Sequence, residues 1–118
     1  MSTPATSTPV AYKIMTAREF EHMRREGQFR GSAADLADGF IHLSTAGQLA
    51  GTIDRHFQGQ PDLVVLAVDL GWLADTVRWE PSRGGQLFPH IYGTLPMKAV
   101  IAAGPLDRSA DGTVRLPG

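Results

Sequence analysis

The chain has 118 residues and a formal net charge of −1, and this length suits one domain with a single hydrophobic core. Its 42% hydrophobic and 19% charged residues are typical of a folded domain, and the absence of cysteine excludes disulfides, thiol nucleophiles and thiolate metal sites. The balanced charge gives no strong signal for nucleic acid, and no apolar run is long enough to cross a bilayer. We therefore expect a cytoplasmic protein without a membrane partner.

The first half of the chain alternates predicted strands with predicted helices. Residues 11–15 are predicted to form a strand. Thr16 and Glu19 then have the spacing of a capping box, which predicts a helix over 17–26. After an irregular connection with a short Ala-rich stretch, residues 40–44 read as the next strand.

A second helix is predicted directly after this strand. Ser44 or Thr45 can cap it, and Gln48 lies at capping-box distance from Thr45. Its apolar residues recur at a spacing of four and give it one buried stripe: Leu49, Ile53 and Phe57.

The second half of the chain is predicted to be a series of strands. A buried central strand is expected over 63–68, because all of its residues are apolar and most are branched. Further extended segments are predicted within "TVRWE", "LFPHIYG" and "MKAVIAAGPL", the last as a buried strand that a turn at Asp111-Gly112 connects to "TVRLP". The sequence thus predicts a flexible tail over 1–10 and a single α+β domain over 11–118, with a mostly antiparallel sheet and two helices in its N-terminal half.

Two of the predicted strands place an imidazole and a hydroxyl on the same face. Successive side chains of a strand point to opposite faces, so His42 and Ser44 share one face, as do His90 and Tyr92. If the two strands lie close together, these groups line one polar cleft. Alternatively, both histidines only satisfy hydrogen bonds within a polar core.

The two other histidines are interpreted as structural. His22 lies on the outer side of the first helix, and His56 lies at the end of the second, where a cation complements the helix dipole.

Charged residues near the predicted cleft add candidate chemistry. Arg78 and Glu80 share a strand face, and Arg83 lies in a loop before two glycines. A carboxylate can act as a base or bind a ribose hydroxyl, and an arginine can bind phosphate. Alternatively, Arg78 and Glu80 only form a solvent-exposed strand face with a weak ion pair and have no function in binding. No phosphate-binding loop, nucleophile elbow or HExxH motif is present.

The ordered motifs "DGFIHLST", "DLVVLAVD", "WE" and "FPHIYG" resemble an uncharacterised bacterial family, number 952 among the domains of unknown function. The similarity runs from about Tyr12 to about Pro105. This family has been grouped with the ADP-ribosyltransferase-like fold, which includes RNA 2′-phosphotransferases. The resemblance therefore implies that fold, a nucleotide ligand and NAD as a possible cofactor.

The same resemblance assigns roles to individual residues. In that superfamily a strand-borne His with a nearby Ser or Thr holds the nicotinamide-ribose end of NAD, which would make His42 and Ser44 ligand contacts. A later Glu contacts ribose and promotes transfer, and Glu80 is the nearest candidate here. The chain departs from the pattern at Lys13, where such enzymes often have His or Arg, and it lacks the usual Gly after that position.

The leading hypothesis is a small enzyme or ligand-binding protein that handles NAD, ADP-ribose or a related nucleotide. Its candidate catalytic residues are His42, Glu80 and His90, and its candidate ligand-binding residues are Ser44, Thr45, Arg78, Arg83 and Tyr92. One alternative is a non-catalytic binder of a small anionic metabolite or of a partner protein. Another is a metal-assisted hydrolase that uses His42 and His90, since imidazole suits zinc and iron, although no spaced ligand motif supports it.

Overall fold

The computed structural model describes residues 9–117. Its strands are β1 (Val10–Thr16), β2 (Gln28–Phe29), β3 (Ile41–His42), β4 (Leu63–Asp69), β5 (Val77–Pro81), β6 (Leu87–Ile91), β7 (Leu95–Pro96) and β8 (Val100–Pro105). Its α-helices are α1 (Ala17–Glu26), α2 (Ala33–Asp38) and α3 (Leu49–Thr52). Every strand pair in the described chain is antiparallel, so the α+β class with mostly antiparallel sheets is confirmed.

The strands form two three-stranded sheets, of order β1-β4-β8 and β3-β6-β5, and the short pair β2-β7. A bridge between Tyr12 and Ser44 joins the two larger sheets, because each residue's N–H donates to the other's carbonyl, at 2.7 and 2.9 Å. The stretch 40–44 is therefore divided between two partners. Ile41 and His42 pair with β6, while Ser44 pairs with β1, so the regular strand is shorter than predicted.

The core consists of two apolar clusters on opposite faces of the first sheet. Neighbouring residues of β1 enter different clusters, Met15 the larger one and Ile14 the smaller one. In β4, Leu66 and Val65 divide in the same way, which explains why this strand is apolar on both faces. The prediction of a buried central strand is confirmed, since β4 lies between β1 and β8.

The first predicted helix has the expected bounds and the expected cap. The Thr16 side chain accepts a hydrogen bond from the Glu19 N–H, and the Glu19 carboxylate accepts one from the Thr16 N–H. Gly27 ends the helix with φ of 83°, a left-handed conformation that glycine adopts most easily.

The second predicted helix is irregular. A 3-10 turn at Ala46–Gln48, α3 and a π-helical turn at Ile53–Phe57 follow one another over this segment. Two glycines weaken the helical preference, and the Thr52 hydroxyl donates to the Gln48 carbonyl, which loosens the regular ladder. The predicted stripe holds in part: Leu49 and Ile53 are buried and Phe57 is half-buried.

Three other expectations need correction. Strand β8 is not buried, because in the described part of the chain it pairs only with β4 at the sheet edge, and Ile101 is 55% exposed. The turn at 109–112 closes only a single bridge between Arg108 and Val114, so "TVRLP" forms no strand. Of the predicted tail, residues 1–8 lie outside the described residues, whereas Val10 already belongs to β1.

No helix within residues 9–117 is long and apolar enough to cross a membrane.

Candidate functional site

The polar face predicted from strand periodicity exists in the second sheet. His42 of β3 lies directly opposite His90 of β6, and His90 lies opposite Arg78 of β5. On the other face of the same sheet, Ile41 and Ile91 belong to the core. The two imidazoles are therefore neighbours, with ring centroids 5.5 Å apart.

The Phe40 ring packs against both imidazoles. It stacks on the His90 ring at a centroid distance of 4.1 Å and contacts the His42 ring at 4.7 Å. It also lies 5.3 Å from the Tyr92 ring. These contacts restrict the orientations that the two imidazoles can adopt.

Behind His42 lies a buried ionic network centred on Asp35 of α2. The Lys13 ammonium donates to both oxygens of Asp35, at 3.0 and 3.2 Å, and to the His42 carbonyl oxygen, at 3.1 Å. Lys13 is 5% exposed and Asp35 is 2% exposed. The Asp35 carboxylate also caps its own helix by accepting from the Ser32 N–H at 2.9 Å. Because a buried charge is stable only when it is paired, each of these two charges depends on the other.

His42 bridges this network to a second carboxylate. Its Nδ1 lies 2.7 Å from Asp35 Oδ1, and its Nε2 lies 2.8 Å from Asp38 Oδ2. Two ionised carboxylates can both accept from the ring only if both nitrogens carry a proton, so this geometry favours the imidazolium form. The hydrogen bond to Asp35 raises the pKa of His42 against the opposing effect of its partial burial.

The Asp35 carboxylate responds to the same contacts in the opposite direction. Burial alone raises its pKa, but the hydrogen bond from His42 and the Lys13 charge outweigh that effect and hold the pKa well below its ordinary value. Asp35 is therefore ionised at neutral pH.

His90 is held by a different carboxylate. Its Nδ1 lies 2.7 Å from Glu80 Oε1, and the Tyr92 hydroxyl donates to the same oxygen at 2.7 Å. The hydrogen bond from His90 lowers the pKa of Glu80 most, and the hydrogen bond from Tyr92 lowers it further. The same bond to Glu80 raises the pKa of Tyr92. An ionised Glu80 requires a proton on Nδ1, so in neutral His90 the lone pair is on Nε2.

The free nitrogen of His90 is accessible. Within residues 9–117, no hydrogen bond involves Nε2 of His90, and no buried side-chain nitrogen or oxygen is without a partner. Although the residue is only 3% exposed, Nε2 therefore keeps some solvent-accessible surface. It can accept a proton or a hydrogen bond from a ligand.

The Ser44 hydroxyl is a second acceptor. The Thr52 hydroxyl donates to the Gln48 carbonyl at 3.1 Å, so its single proton is in use. Ser44 Oγ, 2.8 Å from Thr52 Oγ1, must then be the donor in that pair. The Ser44 oxygen keeps its lone pairs for another partner.

These groups meet at a cavity of about 260 Å³. Its walls come from β1, from α2 and its cap, from the stretch 42–44, from the irregular helical segment, from the loop before β6 and from β6 itself. The polar and charged side chains of the walls are Tyr12, Lys13, Ser32, Asp35, Asp38, His42, Ser44, Thr52, His56, Ser82, Arg83 and His90. The apolar part comes from Ile14, Ala34, Leu43, Phe57 and Phe88.

Four of the eight predicted site residues line this cavity: His42, Ser44, Arg83 and His90. Glu80 and Tyr92 do not line it and reach it only through His90. The Arg78 guanidinium is exposed and lies 5.3 Å from the Tyr92 ring centroid, outside the walls. Thr45 also lies outside them, and its N–H donates to the Gln48 side chain in the capping interaction expected there.

Sequence reasoning missed Asp35 and Asp38 and gave His56 only a structural role. A local signal for Asp35 was present, because Ser32 and Asp35 have capping-box spacing and form that box at the start of α2. His56 is exposed, as expected of a residue at a helix end, but it also lines the cavity.

No group of three His, Asp or Glu side chains in the described chain is arranged to hold a metal ion. His42 has both ring nitrogens on carboxylates, and His90 has one. Among the described residues, His42 and His90 are therefore not part of a set of side chains arranged to bind a metal, as the hypothesis of a metal-assisted hydrolase requires.

Comparison with known structures places these observations in a family. The crystal structure of protein CC0527 from Caulobacter crescentus is 44% identical, with a TM-score of 0.83, and the match covers 92% of this chain and 95% of that one. The solution structure of the same protein is 46% identical, with a TM-score of 0.76, over 89% and 90% of the two chains. No match was found among proteins with curated descriptions. A family model described as "Protein of unknown function (DUF952)" matches residues 14–103, and the chain belongs to this family.

Proposed function

We propose that the cavity binds the ribose end of a nucleotide such as NAD or ADP-ribose, in a fold of the ADP-ribosyltransferase-like type. The observation that carries this proposal is the meeting of His42, Ser44, Arg83 and His90 at one cavity. The family is described only as one of unknown function, so the proposal rests on the chemistry of these side chains.

The acceptors in the cavity match a sugar with free hydroxyl groups. His90 Nε2 has an available lone pair, and Ser44 Oγ has used its proton on Thr52. Both atoms therefore accept hydrogen bonds from a ligand and do not compete with it for donors. Vicinal ribose hydroxyls supply two donors of this kind.

His42 contributes positive charge. Its imidazolium form is stabilised by two carboxylates, and the exposed one, Asp38, is 56% exposed at its side chain. An anionic or carbonyl group of the ligand can replace Asp38 at Nε2 without disturbing the buried bond to Asp35. His42 thus acts as a donor and an electrostatic contact, while His90 acts as the acceptor.

This division of roles is compatible with transfer of an ADP-ribosyl group. In such a reaction the bond between ribose C1′ and the nicotinamide nitrogen breaks, and its electron pair leaves with nicotinamide. A hydroxyl oxygen of the acceptor forms the new bond to C1′, and its proton passes to Nε2 of His90, where the acceptor hydroxyl takes the place of a ribose hydroxyl. Glu80 would serve as a positioning residue that keeps the proton of His90 on Nδ1.

The volume limits how much of the ligand the cavity can enclose. Sites for drug-sized ligands span roughly 300–1,000 Å³, and this cavity has about 260 Å³. It can enclose a ribose with its neighbouring group but not a whole dinucleotide. We propose that Arg78, Tyr92 and Thr45, which lie outside the walls, face the remainder of the ligand.

Calorimetric titration with NAD, ADP-ribose and ribose 5-phosphate tests the proposal. We expect at least one of them to bind at micromolar to millimolar concentration. We expect His90→Gln to weaken binding about tenfold, the effect of losing a hydrogen bond at a buried site. His22→Gln on the exposed face of α1 is the matched control and should bind like the wild type. Absence of binding up to millimolar concentration of all three compounds would refute the proposal.

A second candidate is a binder that performs no reaction. The observation in its favour is that both nitrogens of His42 are occupied, so of the two paired strand histidines only His90 offers a free base. Release of nicotinamide from NAD, measured by chromatography, separates the two: a transferase or hydrolase releases it, and a binder does not. Elemental analysis of the purified protein tests the metal-assisted hydrolase in the same preparation.

A further inference from the structure

Two basic side chains, Arg83 and His56, line the cavity without a carboxylate partner in the described part of the chain. Lys13 and His42 are paired with aspartates, but no carboxylate lies within 4 Å of the Arg83 guanidinium or of the His56 ring among residues 9–117. Asp54, which is close to His56 in sequence, is paired with Arg108 at 2.8 Å.

The Arg83 guanidinium is half-buried in a defined position. Its Nη2 donates to the Gln48 carbonyl across 3.4 Å, and its Cζ lies 4.9 Å from the centroid of the Phe88 ring. It also packs on Gly51 of α3, since a Cβ built at Gly51 would come within 2.9 Å of Nη2. The guanidinium is thus held over the helical segment that also carries His56, and most of its five N–H donors have no partner among residues 9–117.

His56 lies in a positively charged environment. Its partial burial lowers its pKa, and the charges of Arg83, Arg55 and His42 lower it further. The other charged or titratable groups that line the cavity are Lys13, Asp35, Asp38 and His90. His56 is therefore mostly neutral at pH 7 in the free protein, and an anion placed between it and Arg83 would favour its protonation.

We propose that Arg83 and His56 form an anion subsite that binds a phosphate group of the ligand at the side of the cavity formed by the loop before β6 and the irregular helical segment. The ligand would thus be a phosphorylated sugar or nucleotide, with its hydroxyls on His90 and Ser44 and its phosphate on Arg83 and His56. The placement of the ribose on His90 and Ser44 rests on the proposed function. The anion subsite itself can be tested separately with inorganic pyrophosphate. The subsite takes up a proton on His56 when phosphate binds.

Arg83→Gln removes the charge and most of the donors of this subsite. We expect pyrophosphate and ADP-ribose to bind about tenfold more weakly or worse, because charge-assisted hydrogen bonds are the strong ones. Arg18→Gln is the matched control, because Arg18 is exposed on α1. It should leave both affinities unchanged.

Gly51→Ala gives a test that leaves every charge in place. The added Cβ forces the flexible end of Arg83 away from its present position. Because alanine is a better helix former than glycine, the same substitution should maintain or raise the melting temperature. We expect weaker pyrophosphate binding in a protein that is at least as stable. Gly47→Ala is the control, since a Cβ at Gly47 meets no atom within 4 Å, and its affinity should not change.

The proton uptake is measured on His56 directly. NMR titration of its ring protons, assigned with His56→Gln, should show a higher pKa with saturating pyrophosphate than with sodium chloride of equal ionic strength. An unchanged pKa together with unchanged affinity in Arg83→Gln and Gly51→Ala overturns the subsite.

The outcomes separate the two proposals. If ADP-ribose binds and is sensitive to His90→Gln but not to Arg83→Gln, the anion subsite is wrong and the proposed function stands. A second outcome is that Arg83→Gln weakens pyrophosphate binding, while ADP-ribose binds no more tightly than pyrophosphate and its affinity does not change in His90→Gln. In that case the anion subsite stands and the ribose site is wrong. If neither compound binds, both are wrong.

Discussion

Replacing Asp35 by Asn should destabilise the protein more than any substitution at the surface of the site. The Asp35 carboxylate accepts from the Ser32 N–H at 2.9 Å, from Lys13 Nζ at 3.0 Å, from the His42 N–H at 3.2 Å and from His42 Nδ1 at 2.7 Å. An amide of the same shape leaves the buried Lys13 ammonium without a counter-charge. Removing one partner of a buried ion pair costs about 3–5 kcal/mol, a large part of the roughly 5–15 kcal/mol that stabilises a domain.

Equilibrium urea unfolding at pH 7, followed by far-ultraviolet circular dichroism, measures this loss as a change in the free energy of unfolding. Asp38→Asn is the matched control, because its side chain is 56% exposed and contacts only one nitrogen of His42. For an exposed pair we expect a loss of about 1 kcal/mol or less.

A double-mutant cycle with Lys13→Met then tests the cause. If the penalty comes from the unpaired ammonium, Lys13→Met in the Asp35→Asn background recovers part of the stability, with a coupling energy of about 1–3 kcal/mol. Additive losses, or a loss below about 1 kcal/mol for Asp35→Asn, would show that the unpaired Lys13 ammonium is not the cause of the instability.

Three further predictions concern the pH dependence, the His90 tautomer and a helix cap. Because the pKa of His42 is raised above its unfolded-state value of 6.5, protonated His42 stabilises the folded protein fully below pH 6.5, and this stabilisation is lost as the pH rises through the folded-state pKa. The free energy of unfolding, measured from pH 6 to 9, should therefore decline with pH in the wild type, and His42→Gln should remove this decline. The lowered pKa of Asp35 acts in the opposite direction, since its contribution is present above 3.8 and is lost as pH falls through the folded value. Glu80→Met removes the oxygen that accepts from Nδ1 and should release the neutral tautomer of His90, so that nitrogen NMR finds the proton shared between Nδ1 and Nε2 instead of fixed on Nδ1. Thr16→Ala should lower the free energy of unfolding by about 1 kcal/mol in urea titrations, because it removes the cap of α1.

Each of these predictions has a result that contradicts it. A His42→Gln protein with the same alkaline decline would assign the titration to another group. An unchanged His90 tautomer in Glu80→Met would mean that the Glu80 carboxylate does not fix the position of the proton. A Thr16→Ala protein as stable as the wild type would show that tertiary packing alone defines the start of α1.

Local signals in the sequence were sufficient for the elements that depend on local interactions. Helix α1 has its predicted bounds because the Thr16–Glu19 box begins it and Gly27 ends it. The shared face of His42 and Ser44 followed from the two-residue period of a strand, and the pairing of His42 with His90 needed only that two such strands meet. Where helix preference was weak, around Gly47 and Gly51, the predicted regular helix did not form.

The rest of the site depends on contacts that are distant in sequence. Asp35 was recognisable as a cap, but its bond to Lys13 joins residues 22 positions apart and exists only because the fold brings these two side chains together. Arg83 could be predicted as a phosphate-binding residue from its position in a loop. That it has no carboxylate partner among residues 9–117 is visible only in the folded chain. His56 was expected at a helix end, and only the packing of that segment reveals that it lines the cavity.

An NMR titration of the isotopically labelled protein with ADP-ribose tests the central claim most directly, because it shows at once whether a nucleotide binds and where. We expect amide shifts that saturate together and concentrate at the cavity walls, in particular at Ser44, Thr52, Arg83 and His90. Shifts that do not saturate, or that concentrate on α1 or on the β8 edge, would contradict it.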